Sequence, residues 1–344
     1  MMVPLKNLTV AEMEAFIAGL GKERYRARQI MRWLYVQKAT SFDEMTDLAK
    51  ELRAELARTA CISSVEPSTV ERSADGTRKY LFTLADGNQI ESVLIPDDDR
   101  LTLCISTQVG CAMGCRFCLT GAGGLARDLT AGEILDQIVV IARDLGVENR
   151  ISNCVLMGMG EPLANYERVQ QAVGLMTSAF GLGLSRRRIT LSTVGLIPQM
   201  KRLFAEKVPC RLAVSLNAAT QEVRSSLMPI SAKYPLDAVL ATCRAFPLPP
   251  RERITFEYVL IQGVNDSDAD ARRLGQILRG IRCKVNLIPL NEVPGIAFRR
   301  PPEKTVLRFQ KILMDAGYLT IIRESRGRDI SAACGQLRGL VRGS

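Results

Sequence analysis

Six short runs rich in β-branched and other apolar residues recur between residues 101 and 290: LTLCIS, NCVLMGM, RITLST, RLAVSL, ITFEYVLI and KVNLIPL. Amphipathic stretches separate them, among them TAGEILDQIVVIARDLG, YERVQQAVGLMTSAF and DADARRLGQILRG. A strand that is followed by a helix and then by another strand returns parallel to the first, with the helix packed on the sheet. Six such units imply an α/β fold, a parallel sheet with helices outside, built as an open sheet or a partial barrel. Reactive groups in such folds lie at the C-terminal ends of the strands, in the loops that lead into the helices. We read residues 97–327 as this core.

Two segments precede the core and one follows it. Residues 1–60 read as a helical module: Thr9 with Glu12, and Ser41 with Glu44, fit capping boxes, and Gly19 and Gly21 close the first helix. Within it, GKERYRARQIMRWLY places Lys22, Arg24, Arg26, Arg28 and Arg32 beside Tyr25 and Trp33. Such interleaving suits RNA, whose splayed bases stack on rings and guanidinium planes. The same residues also fit an ordinary amphipathic helix with Trp33 and Leu34 turned to a core. Residues 61–96 alternate apolar and polar around Asp86-Gly87, a hairpin signal, with Glu91 on the second strand. Residues 328–344 form a tail of small residues, able to reach the top of the sheet.

Composition narrows the chemistry. The chain has 344 residues, 47% of them apolar, and no histidine. That zero removes Ser-His-Asp triads, Cys-His pairs and every His-ligated metal centre. A net charge of +10 favours a polyanionic partner. No apolar run has transmembrane length and the start carries no signal-peptide core, so we expect a cytoplasmic protein, a monomer with no membrane partner. There the ten cysteines should be reduced, and are read as ligands, catalysts or core residues before disulfides.

Three of them, Cys111, Cys115 and Cys118, fall in VGCAMGCRFC, just after the first core strand. Gly110, Gly114, Gly121, Gly123 and Gly124 let backbone N–H groups turn inward around them. Thiolates in such a loop suit an iron–sulfur cluster. Zinc is the rival, but a structural zinc site takes four protein ligands. Three ligands on a four-iron cluster leave one iron open, which a catalytic centre needs.

The C-x3-C-x2-C motif, with Phe117 before its last cysteine, resembles the radical S-adenosylmethionine superfamily. The resemblance implies a partial (β/α)6 barrel of radical SAM type, with the helical module and a small β extension added. It also implies a 4Fe-4S cluster on the three cysteines. S-adenosylmethionine would occupy the open iron, and one electron would cleave it to a deoxyadenosyl radical. CISTQVGCAMGCRFC, MGMGEP, RITLSTVG, NLIPLNEVPG and RGRDISAACGQL are together similar to the RlmN/Cfr family of RNA methyltransferases, and most to its RlmN branch.

That family resemblance implies a ping-pong reaction using two S-adenosylmethionines. Cys334 would carry the methyl group as S-methylcysteine, which a radical then activates for attack on an adenine ring carbon. Cys104 would resolve the protein–RNA adduct through a transient disulfide with Cys334, and Glu91 would accept the proton, with Cys104 as the competing base. Gly160, Glu161, Ser192, Ser215, Leu216, Asn217 and Asn291 match contacts to S-adenosylmethionine, although the family often has histidine at the position of Asn217. The implied substrates are 23S rRNA at the peptidyl-transferase centre and tRNA beside the anticodon, methylated at adenine C2. The helical module, SRRR at residues 185–188 and the basic tail would hold RNA backbone. A one-electron donor such as flavodoxin or ferredoxin is implied too. Two alternatives stand beside this reading: a C8 adenine methyltransferase, and a non-catalytic iron–sulfur RNA-binding protein.

Overall fold

The computed structural model describes residues 2–62, 65–146, 149–293 and 295–339. The N-terminal segment folds into three helices, α1 Val10–Gly19, α2 Tyr25–Arg32 and α3 Lys50–Thr59, tied together by two parallel strands, β1 Val3–Pro4 and β2 Ala60–Cys61. Helix α1 starts at a capping box: Thr9 Oγ1 accepts from the Glu12 amide at 3.2 Å, and the Glu12 carboxylate accepts from the Thr9 amide at 2.7 Å. The box at Ser41 and Glu44 also forms, but it opens only a single 3-10 turn, Phe42–Glu44. Leu34 is buried, whereas Trp33 is half-buried and donates to Asp47. Arg24, Arg28 and Arg32 are exposed at four-residue spacing, forming a basic stripe along α2. The module is pinned to the core by a buried ion pair between Lys6 and Asp136.

Three antiparallel strands follow: β3 Pro67–Arg72, β4 Arg78–Thr83 and β5 Gln89–Asp97. The hairpin is where Asp86-Gly87 placed it, with Thr83 opposite Gln89 and Gly87 at φ 81°. This extension is part of the main sheet, because β5 pairs with β6 Arg100–Cys104, the first core strand.

A short antiparallel ribbon, β7 Gln108–Gly110 with β8 Leu125–Asp128, brackets the cysteine loop and the single-turn helix α4 Leu119–Ala122. Strands and helices then alternate: α5 Ala131–Asp144, β9 Asn153–Leu156, α6 Tyr166–Thr177, β10 Ile189–Thr193, α7 Ile197–Ala205, β11 Arg211–Ser215, α8 Gln221–Leu227 and α9 Leu236–Arg244. The series ends with β12 Ile254–Leu260, α10 Asp268–Ile277, β13 Cys283–Pro289, α11 Glu303–Asp315 and β14 Thr320–Ile322. All six runs expected as core strands are present, and β14 adds a seventh parallel strand. The ten-stranded order is β14-β13-β12-β11-β10-β9-β6-β5-β4-β3, so among the described residues the barrel is partial and its edges are β14 and β3. No helix among the described residues is long and apolar enough to cross a membrane.

The two faces of the parallel sheet differ, because side chains alternate along each strand. One set, including Leu103, Leu156, Leu191, Val214, Phe256 and Val285, is buried in the main core. The other set is polar. Ser215 lies opposite Glu257, and Glu257 opposite Asn286, whose Nδ2 donates to the Glu257 carboxylate at 2.9 Å. On β10, Ser192 extends this polar row, its hydroxyl 3.5 Å from that of Ser215. Parallel sheets are usually apolar on both faces. A polar row across one face is the mark of a sheet that lines a cavity.

Candidate active site

The cysteine loop is shaped by its glycines. Gly110 has φ 76°, and a Cβ there would stand 2.0 Å from the Gly124 oxygen. The Cys111 amide donates to that oxygen at 2.7 Å, which closes the loop at the base of the ribbon. The three thiols are close enough to act on one another. Burial pushes Cys111 up to about 12, and lifts Cys115 higher still, with neighbouring thiols adding to it. The Arg224 guanidinium opposes the rise at Cys115. Half-buried thiols become ligand thiolates when a cationic group binds among them, and three sulfur donors match an iron–sulfur cluster. Among the described residues, no three Cys, His, Asp or Glu side chains are grouped as a ready-made metal site.

Beside the loop lies a cavity of about 160 Å³ whose lining includes Cys118, Gly160, Glu161, Ser192, Ser215, Asn217 and Asn291. Six of the seven residues expected to contact S-adenosylmethionine therefore meet in one place, next to a cluster cysteine. Leu216 does not line it. Its side chain is fully buried, and its backbone is spent on the Glu257 carbonyl and the Arg224 guanidinium.

The backbone explains Gly160. Its φ is 101°, and a Cβ would come within 2.6 Å of the Gln108 side chain. Glu161 is buried, its carboxylate accepting from the amides of Leu163 at 3.0 Å and Val194 at 2.8 Å. Burial raises its pKa to about 7 against those hydrogen bonds. The carboxylate thus ties the loop after β9 to the end of β10 and keeps lone pairs free for a cationic ligand. Asn217 has φ 58°, a conformation that asparagine tolerates. Its Oδ1 accepts from the Val259 amide at 2.9 Å and its Nδ2 meets the Met228 sulfur at 3.3 Å. Asn217 borders the cavity mainly as a brace between β11 and β12. Asn291 differs: its Oδ1 is buried without a partner, an acceptor that suits a donor on a bound ligand.

A second cavity, of about 390 Å³, adjoins the first, and Cys334 and Arg323 line both. Cys104 lines the second with Cys334. Cys104 is buried while Cys334 is exposed, and both are free thiols. Burial drives the Cys104 thiol up to about 12, the charge of Cys334 adds to this, and Arg323 opposes it. Glu91 lines neither cavity. It is buried on β5, where its carboxylate accepts from the Arg338 amide at 2.8 Å and lies 3.5 Å from Lys79 Nζ.

The described part of the tail lines both cavities and is docked against the cysteine loop and Asn291. Leu119 N–H donates to the Gly335 oxygen at 2.9 Å, Thr120 Oγ1 to Leu337 at 2.6 Å and Asn291 Nδ2 to Cys334 at 3.1 Å. Residues 340–344 of the tail, and Pro294 of the NLIPLNEVPG motif, lie outside the described residues. The SRRR run forms a 3-10 turn before β10, at the opposite end of that strand from Ser192, and Arg186 pairs there with Glu252 at 2.6 Å.

Residues 3–62 match the ribosomal RNA large subunit methyltransferase N-terminal domain, and residues 105–274 match the radical SAM superfamily. Over 338 residues, the chain is 56% identical to the dual-specificity RNA methyltransferase RlmN of Geobacter sulfurreducens, covering 98% of this chain and 92% of the relative. It is 55% identical to the RlmN of Geotalea uraniireducens, covering 98% and 97%. The chain belongs to the RlmN family. A solved radical SAM methyltransferase from Sphaerobacter thermophilus superposes with a TM-score of 0.93 at 48% identity, covering 98% of this chain and 99% of that one. The fold, the methyltransferase class and the radical SAM core follow from this membership, and with them a 4Fe-4S cluster and S-adenosylmethionine.

Sequence reasoning missed Arg323, Glu257 and Gln108. Arg323 follows the short strand β14, which no alternation announced. Glu257 sits in ITFEYVLI as a lone carboxylate within an apolar run, and that was the available signal. Gln108 joins two loops, accepting from the Glu161 amide at 2.8 Å and donating to Asp128 at 2.6 Å.

Proposed function

We propose that this RlmN-family chain methylates C2 of adenine in 23S rRNA at the peptidyl-transferase centre, and in tRNA beside the anticodon. The observation that carries the reading is the position of Cys334, on the border between two cavities. One cavity holds a cluster cysteine and the S-adenosylmethionine contacts, and the other holds Cys104.

Cys111, Cys115 and Cys118 would hold the cluster, while Gly160, Glu161, Ser192, Ser215 and Asn291 would surround S-adenosylmethionine. When bound and reduced by a flavodoxin- or ferredoxin-type donor, these groups supply radical chemistry, and a separate S-adenosylmethionine supplies the methyl group. Cys334 would take that methyl group on its sulfur as S-methylcysteine, giving up the thiol proton, with S-adenosylhomocysteine as the leaving group. The Cys334 sulfur is already next to the second cavity, where a base would be presented. Cys104 lines the same cavity and would release the adduct through a transient disulfide with Cys334: the S–S bond forms as the sulfur–methylene bond breaks, the freed carbon takes a proton to become the methyl group, and the electron donor reduces the disulfide again. Glu91 is the proton acceptor of this scheme. Its carboxylate is capped by the Arg338 amide, so the tail must shift before Glu91 reaches a base. A single-stranded or looped adenine fits the chemistry, since stacking hides C2. The basic stripe on α2 would hold the RNA backbone.

The test is anaerobic reconstitution, incubation with methyl-labelled S-adenosylmethionine and RNA, then peptide mapping and nucleoside mass spectrometry. Label at Cys334 together with 2-methyladenosine supports the proposal. Only 8-methyladenosine overturns the position of attack, and RNA binding without label at Cys334 overturns the enzyme reading.

A further inference from the structure

The β extension lines the larger cavity with Val93, Ile95 and Asp97 of β5, and its Asp86 pairs with Arg127 on the ribbon that brackets the cysteine loop. Its turn and strands also hold the tail. Asp329 accepts from Ser73 Oγ at 2.6 Å and from the Ala74 amide at 3.2 Å, and the Gly327 amide donates to Asp75 at 2.9 Å. Lys79 Nζ donates to the Ile330 oxygen at 2.7 Å. The Glu91 carboxylate accepts from the Arg338 amide. Ile330 and Arg338 stand four residues to either side of Cys334.

Lys79 is the unusual member of this set. It is only 7% exposed, on a strand one place from the sheet edge. Burying an ammonium is costly unless its donors are met. Here three acceptors converge on it: Glu71 at 3.0 Å, Glu91 at 3.5 Å and the tail carbonyl. One acceptor belongs to the tail, so the ammonium is fully satisfied only with the tail seated. Through Glu91, the same charge steadies the acceptor for Arg338, and one side chain thus governs both flanks of Cys334.

We propose that the β extension is the docking platform of the tail and that Lys79 is its positioning residue, holding the segment from Ile330 to Arg338 so that Cys334 faces Cys104. Only the reason for placing Cys334 rests on the function proposed above; the platform and its test do not.

The test uses the full, cluster-reconstituted chain as parent, Lys79→Met and Lys79→Arg. One readout is hydrogen exchange in the peptide spanning residues 328–338. The other is the rate at which diamide links Cys104 to Cys334, two thiols losing two electrons and two protons as diamide becomes its hydrazine. Neither readout needs RNA or S-adenosylmethionine, so each stands if no methylated adenine is ever formed. In Lys79→Met, exchange should quicken and linkage slow by about tenfold each, the weight of a charged hydrogen bond, with Lys79→Arg close to the parent. Parent-like exchange in Lys79→Met overturns the platform, and parent-like linkage overturns the positioning role. Should Lys79→Met fail to fold, Glu91→Gln weakens the same hold and is read in the same way.

Discussion

The side-chain amide of Asn291 donates to the backbone oxygen of Cys334 across 3.1 Å, while its own oxygen is buried without a partner. One residue thus touches the tail with one atom and offers the other to the cavity. Asn291→Ala should weaken S-adenosylmethionine binding by about tenfold, the worth of one buried hydrogen bond. Asn291→Asp, which keeps an acceptor but loses the donor, should retain more affinity and hold the tail less well. Equilibrium binding and hydrogen exchange measure the two effects.

Gly160 is held at φ 101° with Gln108 packed where a Cβ would go. Gly160→Ala should lower stability by roughly 2 kcal/mol or more and abolish cosubstrate binding, because the strained loop carries Glu161. Denaturant titration and binding assays check this together. An unchanged midpoint would count against the steric account.

Burial pushes the Cys104 thiol up to about 12. It therefore stays protonated through the neutral range, and its thiolate fraction grows about tenfold per pH unit until that value. Alkylation of Cys104 by iodoacetamide should be slow at pH 7 and climb steeply to pH 10, with no plateau between. Arg323→Met removes the cation that opposes the shift and should slow the reaction further. Peptide mapping resolves this cysteine from the other nine.

Burial raises Asp136 from 3.8 to about 6, opposed by its ion pair with Lys6. A carboxyl whose folded pKa lies above its unfolded value costs stability as pH rises between the two, because the unfolded chain releases its proton first. Lys6→Met removes the opposing cation and extends that loss to higher pH. The variant should therefore be more destabilised at pH 7.5 than at pH 5, by about 3–5 kcal/mol at the higher value. Urea melts at the two pH values test the sign.

What could be read from the sequence was set by periodicity and spacing. The six core strands were visible because each combines β-branched residues with a helix-length spacer. The cluster loop was visible because three cysteines and five glycines crowd one turn. β14, with three residues, is too short to show a period, so Arg323 beyond it stayed hidden. Glu91 reads as a solvated hairpin residue until the tail, about 240 residues later, covers it. The tail itself looked loose because small residues make no pattern. Its order comes from contacts with the hairpin, the cysteine loop and Asn291, none of them local. Asn217 lines the expected cavity, but its left-handed backbone and its two protein partners are things that one residue type in one chain does not reveal.

Among the described residues, the strands at the two margins of the sheet, β14 and β3, do not pair with each other. A cylinder closed on itself admits only what passes through its end, and a long polymer would have to be threaded. A trough has a lengthwise gap, so a folded nucleic acid can lie along the outside and dip one nucleotide through the side. The segment bearing Cys334 bridges part of that opening, bonded through Asp329 to the turn after β3 and through the Cys334 oxygen to Asn291 beyond β13.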